Sequence, residues 1–179
     1  MPYLNVRVPP YDARAVANYF LELSRRDGKS LDQMKVQKLV FLAHGWYLAL
    51  TGKPLITERI EAWRFGPVVR SLYAAFREAG SGPITRPACQ FQLVEGRLVS
   101  TPIQLEDLDN IFNRQAKQVL DEIWRVYGGF SGPQLSNLAH MPGTPWANTW
   151  ATTPEKTGLV IDDSVIRNYF QGLPSHEYA

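Results

Sequence analysis

The chain has 179 residues, of which 45% are hydrophobic and 20% charged, the composition of an ordinary globular domain. This length predicts one domain over residues 1–179, large enough to fold without a disulfide or a metal ion. The 19 basic and 17 acidic residues give a net charge of +2, which lacks the excess of positive charge typical of nucleic-acid-binding proteins. Cys89 is the single cysteine and the start of the chain lacks a secretory pattern, so we expect a cytoplasmic protein.

Periodic apolar residues and capping residues predict two helices near the start of the chain. The first is expected over residues 12–26, with Asp12 as its cap. The second is expected to start at Ser30, because Gln33 completes a capping-box spacing, and to end at residue 51 before Gly52.

The second predicted helix contains an unusually apolar stretch. Between residues 39 and 50 only His44 and Gly45 interrupt the apolar side chains. A membrane span needs about 20 apolar residues, so this shorter run predicts the buried central helix of the domain. A histidine in such a helix is expected to make a structural hydrogen bond.

The middle of the chain predicts both kinds of secondary structure. Residues 60–64 are expected to be a short strand, and Pro67 is expected to begin a third helix. Residues 91–100 predict a β-hairpin that turns at residues 95–96, and a long apolar stripe predicts a helix over residues 105–127.

The last third predicts two more helices separated by a long loop. One helix is expected to begin at Pro133, and the last is expected to be capped by Asp162 or Asp163. Residues 140–158 are expected to be a loop. The fold class is therefore predicted to be mainly α, a compact single-domain bundle of about six helices with a small β-hairpin.

The usual signatures of catalysis and metal binding do not occur in this sequence. It has no phosphate-binding glycine loop, and Cys89 lacks the surroundings of a nucleophile. His44, His140 and His176 lie too far apart for a standard metal motif. We therefore predict no catalytic residue, no metal site and no cofactor.

A basic corner between the first two helices is a candidate DNA-binding element. A recognition helix needs a polar face along much of its length, whereas the second helix becomes apolar from Leu39 onward. We therefore expect a solvated basic corner and no nucleic-acid partner. The corner consists of Arg25, Arg26, Lys29, Lys35 and Lys38.

An ordered set of short motifs resembles one known family. The motifs are Gln37-Lys38-Leu39, the Thr-Gly-Lys-Pro-Leu stretch of residues 51–55, Glu61-Ala62-Trp63, Gly66-Pro67-Val68, and His140 shortly before Pro145-Trp146. In this order they resemble the Panacea domain, the family of SocA-like antitoxins and phage-associated GepA-like proteins. The resemblance is dense over about residues 33–76 and looser elsewhere.

This resemblance implies a cytoplasmic protein that binds and neutralises a protein toxin encoded beside it. In SocA-like members it also implies an adaptor that delivers the toxin to the ClpXP protease, which would make ClpX/ClpP a further partner. Interfaces favour Trp, Tyr and Arg, and the candidate contacts with the toxin are Lys35, Lys38, Arg64, Arg70, Trp146 and Trp150. The remaining motif residues are interpreted as structural: Gln37, His44, Trp46, Trp63, Gly66, Pro67 and His140.

An enzyme is the alternative to the antitoxin hypothesis. Because two histidines lie within the motifs, a hydrolase that reverses toxin damage would use His44 or His140 with a carboxylate such as Glu61.

Overall fold

The computed structural model describes residues 8–106, 108–111, 113–152 and 158–174. These residues form a mainly α fold with small antiparallel sheets. The helices are α1 (Ala13–Arg26), α2 (Gln33–Thr51), α3 (Arg70–Phe76), α4 (Arg114–Tyr127), α5 (Gly132–Ala139), α6 (Pro145–Trp150) and α7 (Asp163–Gly172). The strands are β1 (Ile60–Trp63), β2 (Gly66–Val68), β3 (Cys89–Val94), β4 (Arg97–Pro102) and β5 (Leu159–Ile161).

Helix α2 is the centre of the fold, as its apolar run predicts. It packs against α1, α4, α5 and α7, and this enclosure explains why the helix is apolar on nearly all sides. Gly45 lets the Phe170 ring of α7 lie directly on the backbone of α2. None of the described helices combines the length and apolar character needed to cross a membrane.

The caps of the first and last helices confirm their predicted starts. Asp12 accepts a hydrogen bond from the Arg14 backbone at 2.8 Å, and Asp162 caps α7 in the same way. Helix α2 instead begins later than predicted, with Asp32 rather than Ser30 as its cap. The cause is tertiary, because the backbone before this cap is extended and pairs with residues 83–84.

The predicted long helix over residues 105–127 is also too long at its start, because α4 begins only at Arg114. Asn113, which immediately precedes it, is fully buried and accepts a hydrogen bond from the Tyr11 hydroxyl at 2.7 Å. Ile111 falls within the predicted helix, yet 70% of its surface is exposed. The helical spacing of the preceding residues therefore does not correspond to a helix.

A three-stranded antiparallel sheet has the order β2-β1-β5, so β1 lies in its centre. The strand predicted at residues 60–64 is confirmed, but the helix predicted to begin at Pro67 is wrong. Pro67 lies in the edge strand β2, where a residue without an N–H group is tolerated, and α3 starts three residues later.

The loop predicted over residues 140–158 contains α6, and β5 begins directly after it. Thr144 accepts a hydrogen bond from the Ala147 backbone, and Pro145 occupies the first turn, a combination that is typical of a helix start. Residues 153–157 of this predicted loop lie outside the described residues.

The β3–β4 hairpin and its turn are confirmed. Glu95 and Gly96 both have positive φ angles, 49° and 76°, as a type I′ hairpin turn requires. Helix α5 begins as predicted near Pro133, with Ser131 and Gln134 forming a capping box.

Candidate functional site

The tight turn between β1 and β2, residues 63–66, is held from behind by side chains of α5 and α6. Three consecutive carbonyl groups of this turn each face a hydrogen-bonding side chain. Because these partners come from two helices, the path of the turn is fixed by tertiary structure rather than by its own sequence. The contacts are Trp146 Nε1 to Trp63 O (2.8 Å), His140 Nε2 to Arg64 O (3.2 Å) and Ser136 Oγ to Phe65 O (3.0 Å).

Helix α2 holds the next part of the same backbone. The Gln37 amide makes two bonds to Val69, donating to its carbonyl at 3.1 Å and accepting from its N–H at 2.8 Å. The Lys38 ammonium donates to the Pro67 carbonyl at 3.2 Å. Lys38 is 2% exposed, and its burial lowers the pKa of the ammonium group to about 8. Two neighbouring residues of α2 therefore fix the backbone of residues 67–69.

Gly66 is required at the end of this turn for two reasons. Its φ angle of 108° is one that L-residues rarely adopt. A β-carbon added there would lie 2.6 Å from Lys38 Cε and 3.7 Å from His140 Cε1. The glycine thus allows the turn to lie against the two side chains that hold it.

The outward side of the turn carries large exposed side chains. Phe65 is 60% exposed, and the guanidinium of Arg64 lies 5.4 Å from its ring centroid. The Trp63 ring lies 5.1 Å from that of Tyr73, which is 47% exposed. Aromatic and arginine side chains at the surface are the composition favoured in protein interfaces.

A carboxylate orients the Trp63 side of this surface. Glu61 accepts hydrogen bonds from Arg70 Nε at 2.6 Å and from Trp63 Nε1 at 2.9 Å. The hydrogen bond from Arg70 is the main reason that the pKa of Glu61 lies below its usual value. Arg70 also stacks over the Trp63 ring at 5.6 Å, so the three side chains form one connected group.

A largely apolar groove of about 620 Å³ opens between this turn and the start of α2. Buried Gln37 and Lys38 line this groove and also hold the backbone of residues 67–69. The walls of the groove include Trp63, Phe65 and Tyr73. We call the groove and the exposed side chains of the turn the turn surface.

The candidate contacts predicted from the sequence divide into exposed and buried residues. Arg64 and Arg70 are exposed at the turn surface. Lys35 and Lys38 are buried, and Lys35 Nζ donates to the carbonyls of Ser30 at 3.1 Å and Gly128 at 2.8 Å. The expectation that these two lysines present their charge to a partner is therefore corrected.

The two tryptophans proposed as contacts lie behind the turn. Trp146 is 6% exposed, and half-buried Trp150 stacks on it with ring centroids 5.3 Å apart. Trp46, one of the motif residues interpreted as structural, is 4% exposed and packs edge-on against Phe170. These positions support the turn and the core rather than extend the exposed surface.

The histidines do not form a catalytic arrangement with Glu61. His44 is 1% exposed, and its Nε2 lies 3.0 Å from Asp163 Oδ1. His140 is engaged by backbone carbonyls, with Nδ1 2.5 Å from Ser136 O. Glu61 is bonded to Arg70 and Trp63 instead. Across the part of the chain that the structure describes, no three potential metal ligands come together, and His176 lies outside it.

Sequence analysis missed three residues of the turn surface and its support. Phe65 and Tyr73 form much of the exposed aromatic area, and Ser136 holds the Phe65 carbonyl. The sequence did contain one signal for Phe65, since a large apolar side chain directly before Gly66 in a turn has little core to enter.

Comparison with known proteins assigns the chain to a family. The family model described as "Antitoxin SocA-like, Panacea domain" matches residues 36–147 of the chain. The chain belongs to this family. It is also 30% identical over 175 residues to Antitoxin SocA from Caulobacter vibrioides (strain NA1000 / CB15N), an alignment that covers 96% of this chain and 88% of the relative. No solved structure matches the chain significantly.

Four side chains from the short sequence motifs meet at one place in the structure. Gln37, Lys38, His140 and Trp146 all lie within the matched region and all contact the backbone of residues 63–69. In this chain these four side chains therefore position the turn.

Proposed function

We propose that this protein is an antitoxin that binds a protein toxin and neutralises it. Membership of the SocA-like Panacea family and the likeness to Antitoxin SocA over nearly the whole chain support this function. The turn surface is the proposed binding site, with Arg64, Phe65 and Tyr73 as direct contacts and Arg70 holding Trp63 in place.

One observation carries the assignment of the site. The motif side chains hold the backbone of the turn from behind, which leaves Arg64 and Phe65 directed to the surface. A rigid turn that exposes an arginine and an aromatic ring is preorganised for binding, because little conformational entropy is lost when a partner docks. The arrangement serves recognition and supplies no activated nucleophile.

The proposal includes a finer step after toxin binding. Delivery of the bound toxin to the ClpX/ClpP protease would make neutralisation irreversible, and it would take place in the cytoplasm. This step requires that the protein contact the protease while the toxin occupies the turn surface.

Co-expression with the product of the adjacent gene tests the proposal. That product should arrest growth when expressed alone, and growth should return when the present protein is co-expressed. A tagged copy should then retain the toxin in a stoichiometric complex, or reduce its amount only in cells that contain ClpP. If the neighbouring product is harmless alone, or if neither effect is seen, the antitoxin function is wrong.

A further inference from the structure

The β3–β4 hairpin carries an apolar face that nothing in the described structure covers. Residues two apart on a strand share a face, and so do directly paired residues of neighbouring strands. The pairs Phe91–Ser100 and Leu93–Leu98 therefore lie on one face. Phe91, Leu93 and Leu98 are 65%, 74% and 71% exposed, respectively. We call these three side chains the apolar hairpin face.

The opposite face of the same hairpin is more polar. It carries the pairs Gln92–Val99 and Val94–Arg97, so its apolar side chains are small and β-branched. Val94 and Val99 are 48% and 41% exposed. A hairpin with both faces in water is expected to carry polar side chains on both. The concentration of large apolar side chains on one face therefore indicates that this face is a contact surface.

The base of the hairpin is firmly attached to the core. Asn18 of α1 is 3% exposed and makes three hydrogen bonds to the chain on both sides of the hairpin. Its amide donates to the carbonyls of Ala88 at 2.8 Å and Ile103 at 2.7 Å, and it accepts from the Ala88 N–H at 2.8 Å. A two-stranded ribbon is only marginally stable alone, so this attachment holds it in position.

The apolar hairpin face continues into a second groove, of about 1190 Å³, between the hairpin and α3. Phe91 and Ser100 form its hairpin wall, and the small exposed residues Ala74 and Ala75 of α3 lie opposite. Small side chains on one wall let another backbone approach closely. The groove therefore suits a segment with one apolar side rather than a single small molecule.

The charges around this groove are mainly positive. Arg14, Arg77 and Arg86 line it, against one acidic residue, Glu78. Arg14 is paired with Asp12, whereas the ion pairs formed among the described residues include neither Arg77 nor Arg86, both of which are exposed. Two arginines without an acidic partner favour an incoming segment that carries carboxylates.

We infer that this groove and the apolar hairpin face form a second docking surface, which binds an acidic amphipathic segment of a protein partner. The apolar side of that segment packs on Phe91, Leu93 and Leu98, and its carboxylates meet Arg77 and Arg86. A second copy of the chain fits less well. Three side chains offer on the order of 500 Å², whereas a stable interface buries about 800 Å² on each partner.

A pair of synthetic helical peptides tests this inference on the full-length protein. Both have about five turns, with leucines at positions i, i+3, i+4 and i+7; one carries glutamate and the other lysine at the remaining positions. Fluorescence anisotropy at moderate salt should show that the acidic peptide binds at least about tenfold more tightly than the basic peptide.

Two double variants of the hairpin separate the faces. Leu93→Thr with Leu98→Thr removes most of the apolar hairpin face, whereas Val94→Thr with Val99→Thr makes the matched change on the other face. Threonine favours strands, so both variants keep the hairpin, which the amide resonance of Gly96 reports. The first variant should weaken binding of the acidic peptide at least about tenfold, and the second should bind like the unmodified protein.

Three results would overturn the inference. The acidic peptide could fail to bind, it could bind no better than the basic one, or the two hairpin variants could bind it equally well. Sedimentation of the unmodified protein tests whether a second copy of the chain occupies the face. A dimer that is lost in the Leu93→Thr/Leu98→Thr variant would assign the face to self-association instead. None of these measurements involves the turn surface, so the proposed function stands or falls separately.

Discussion

Lys38 illustrates how a single buried charge is used to shape the backbone of this protein. Its ammonium group lies at 2% exposure and donates to the Pro67 carbonyl, while no ion pair among the described residues includes it. A buried charge without a carboxylate disfavours the folded state, which is why the pKa of this lysine falls to about 8. The folded and unfolded states therefore bind different numbers of protons in alkaline solution.

We predict that Lys38 makes the protein more stable as the pH rises from 7 to 9.5. Below pH 8 Lys38 is protonated in both the folded and the unfolded state. Above pH 8 it loses its proton in the folded state but keeps it in the unfolded state, where its pKa is near 10.5. The free energy of unfolding should rise by about 2 kcal/mol relative to the variant Lys38→Met over this range. Urea denaturation of both proteins measures this difference. Tyrosine ionisation contributes equally to the pH dependence of both proteins and therefore cancels in the comparison. A constant difference would mean that Lys38 is not desolvated.

Gly66 provides a second test at the scale of one residue. The substitution Gly66→Ala imposes an unfavourable φ angle and drives a β-carbon against Lys38 Cε. We predict a loss of about 2–4 kcal/mol in the free energy of unfolding. Gly143→Ala is the matched control, because Gly143 also has a positive φ, 85°, but a β-carbon there meets no atom within 4 Å.

Thermal unfolding of the two glycine variants separates backbone strain from crowding. Gly143→Ala should be destabilised by only about 1 kcal/mol, from strain alone. Equal losses at the two positions would show that Gly66 is needed for its φ angle and that the turn does not lie tightly on Lys38.

At the scale of secondary-structure elements, the contact between α2 and α7 determines how the core closes. The Phe170 ring of α7 covers Gly45 and packs edge-on against Phe41 and Trp46. A glycine in the middle of a helix usually weakens it by about 1 kcal/mol relative to alanine. Here the close approach of the ring explains why glycine is present.

We therefore predict that Gly45→Ala destabilises the protein, although alanine is the better helix former. Its β-carbon would overlap the Phe170 ring, so the free energy of unfolding should fall by about 1–3 kcal/mol. Gly172→Ala in α7 meets no neighbour within 4 Å and should be neutral or stabilising by up to about 1 kcal/mol. Calorimetric melting of both variants checks the signs, and a stabilised Gly45→Ala would contradict the packing described here.

The elements also show what the sequence could predict. Caps and periodicity identified α1, α5, α7 and the β3–β4 hairpin, because each of these depends on residues close in sequence. The errors at residues 30–32 and at the start of α4 share one cause, because a pairing or hydrogen bond with a distant part of the chain determines the local backbone there. At Pro67 the backbone pairs with Ala62 of the adjacent strand β1 and is also held by Lys38 of α2.

The same distinction applies to the candidate site. Gln37, His140 and Trp146 could be selected from their motifs, but their common target, the backbone of residues 63–69, could not be predicted from spacing along the chain. The sequence alone predicts that Lys35 and Lys38 lie at the surface, since lysine is rarely buried. Only the packing of the whole domain shows that their ammonium groups are buried and donate hydrogen bonds to backbone carbonyl groups.

At the scale of the whole molecule, α3 contributes to both proposed surfaces. Tyr73 lies on the turn surface, whereas Ala74 and Ala75 line the groove beside the apolar hairpin face. The two surfaces are otherwise built from different strands. A protein that holds a toxin at one surface and a second protein at another needs such a separation, so the two proposals are compatible without depending on each other.

The affinity of the toxin for variants of the turn surface tests the proposed function most directly. In the proposed function Gln37, Lys38, His140 and Trp146 hold the turn while its exposed side chains bind the toxin. Phe65→Ala and Arg64→Ala should each raise the dissociation constant at least about tenfold, since exposed aromatic and arginine anchors dominate interfaces. Leu50→Ala is the matched control, because Leu50 is 54% exposed at the end of α2, away from the turn.

Isothermal titration calorimetry with the product of the adjacent gene, combined with melting temperatures of the same samples, gives the answer. We predict that Phe65→Ala and Arg64→Ala lose affinity while their melting temperatures stay within about 2 °C of the unmodified protein. Leu50→Ala should keep both properties. Unchanged affinity in both turn variants would contradict the account and place the binding site elsewhere on the molecule.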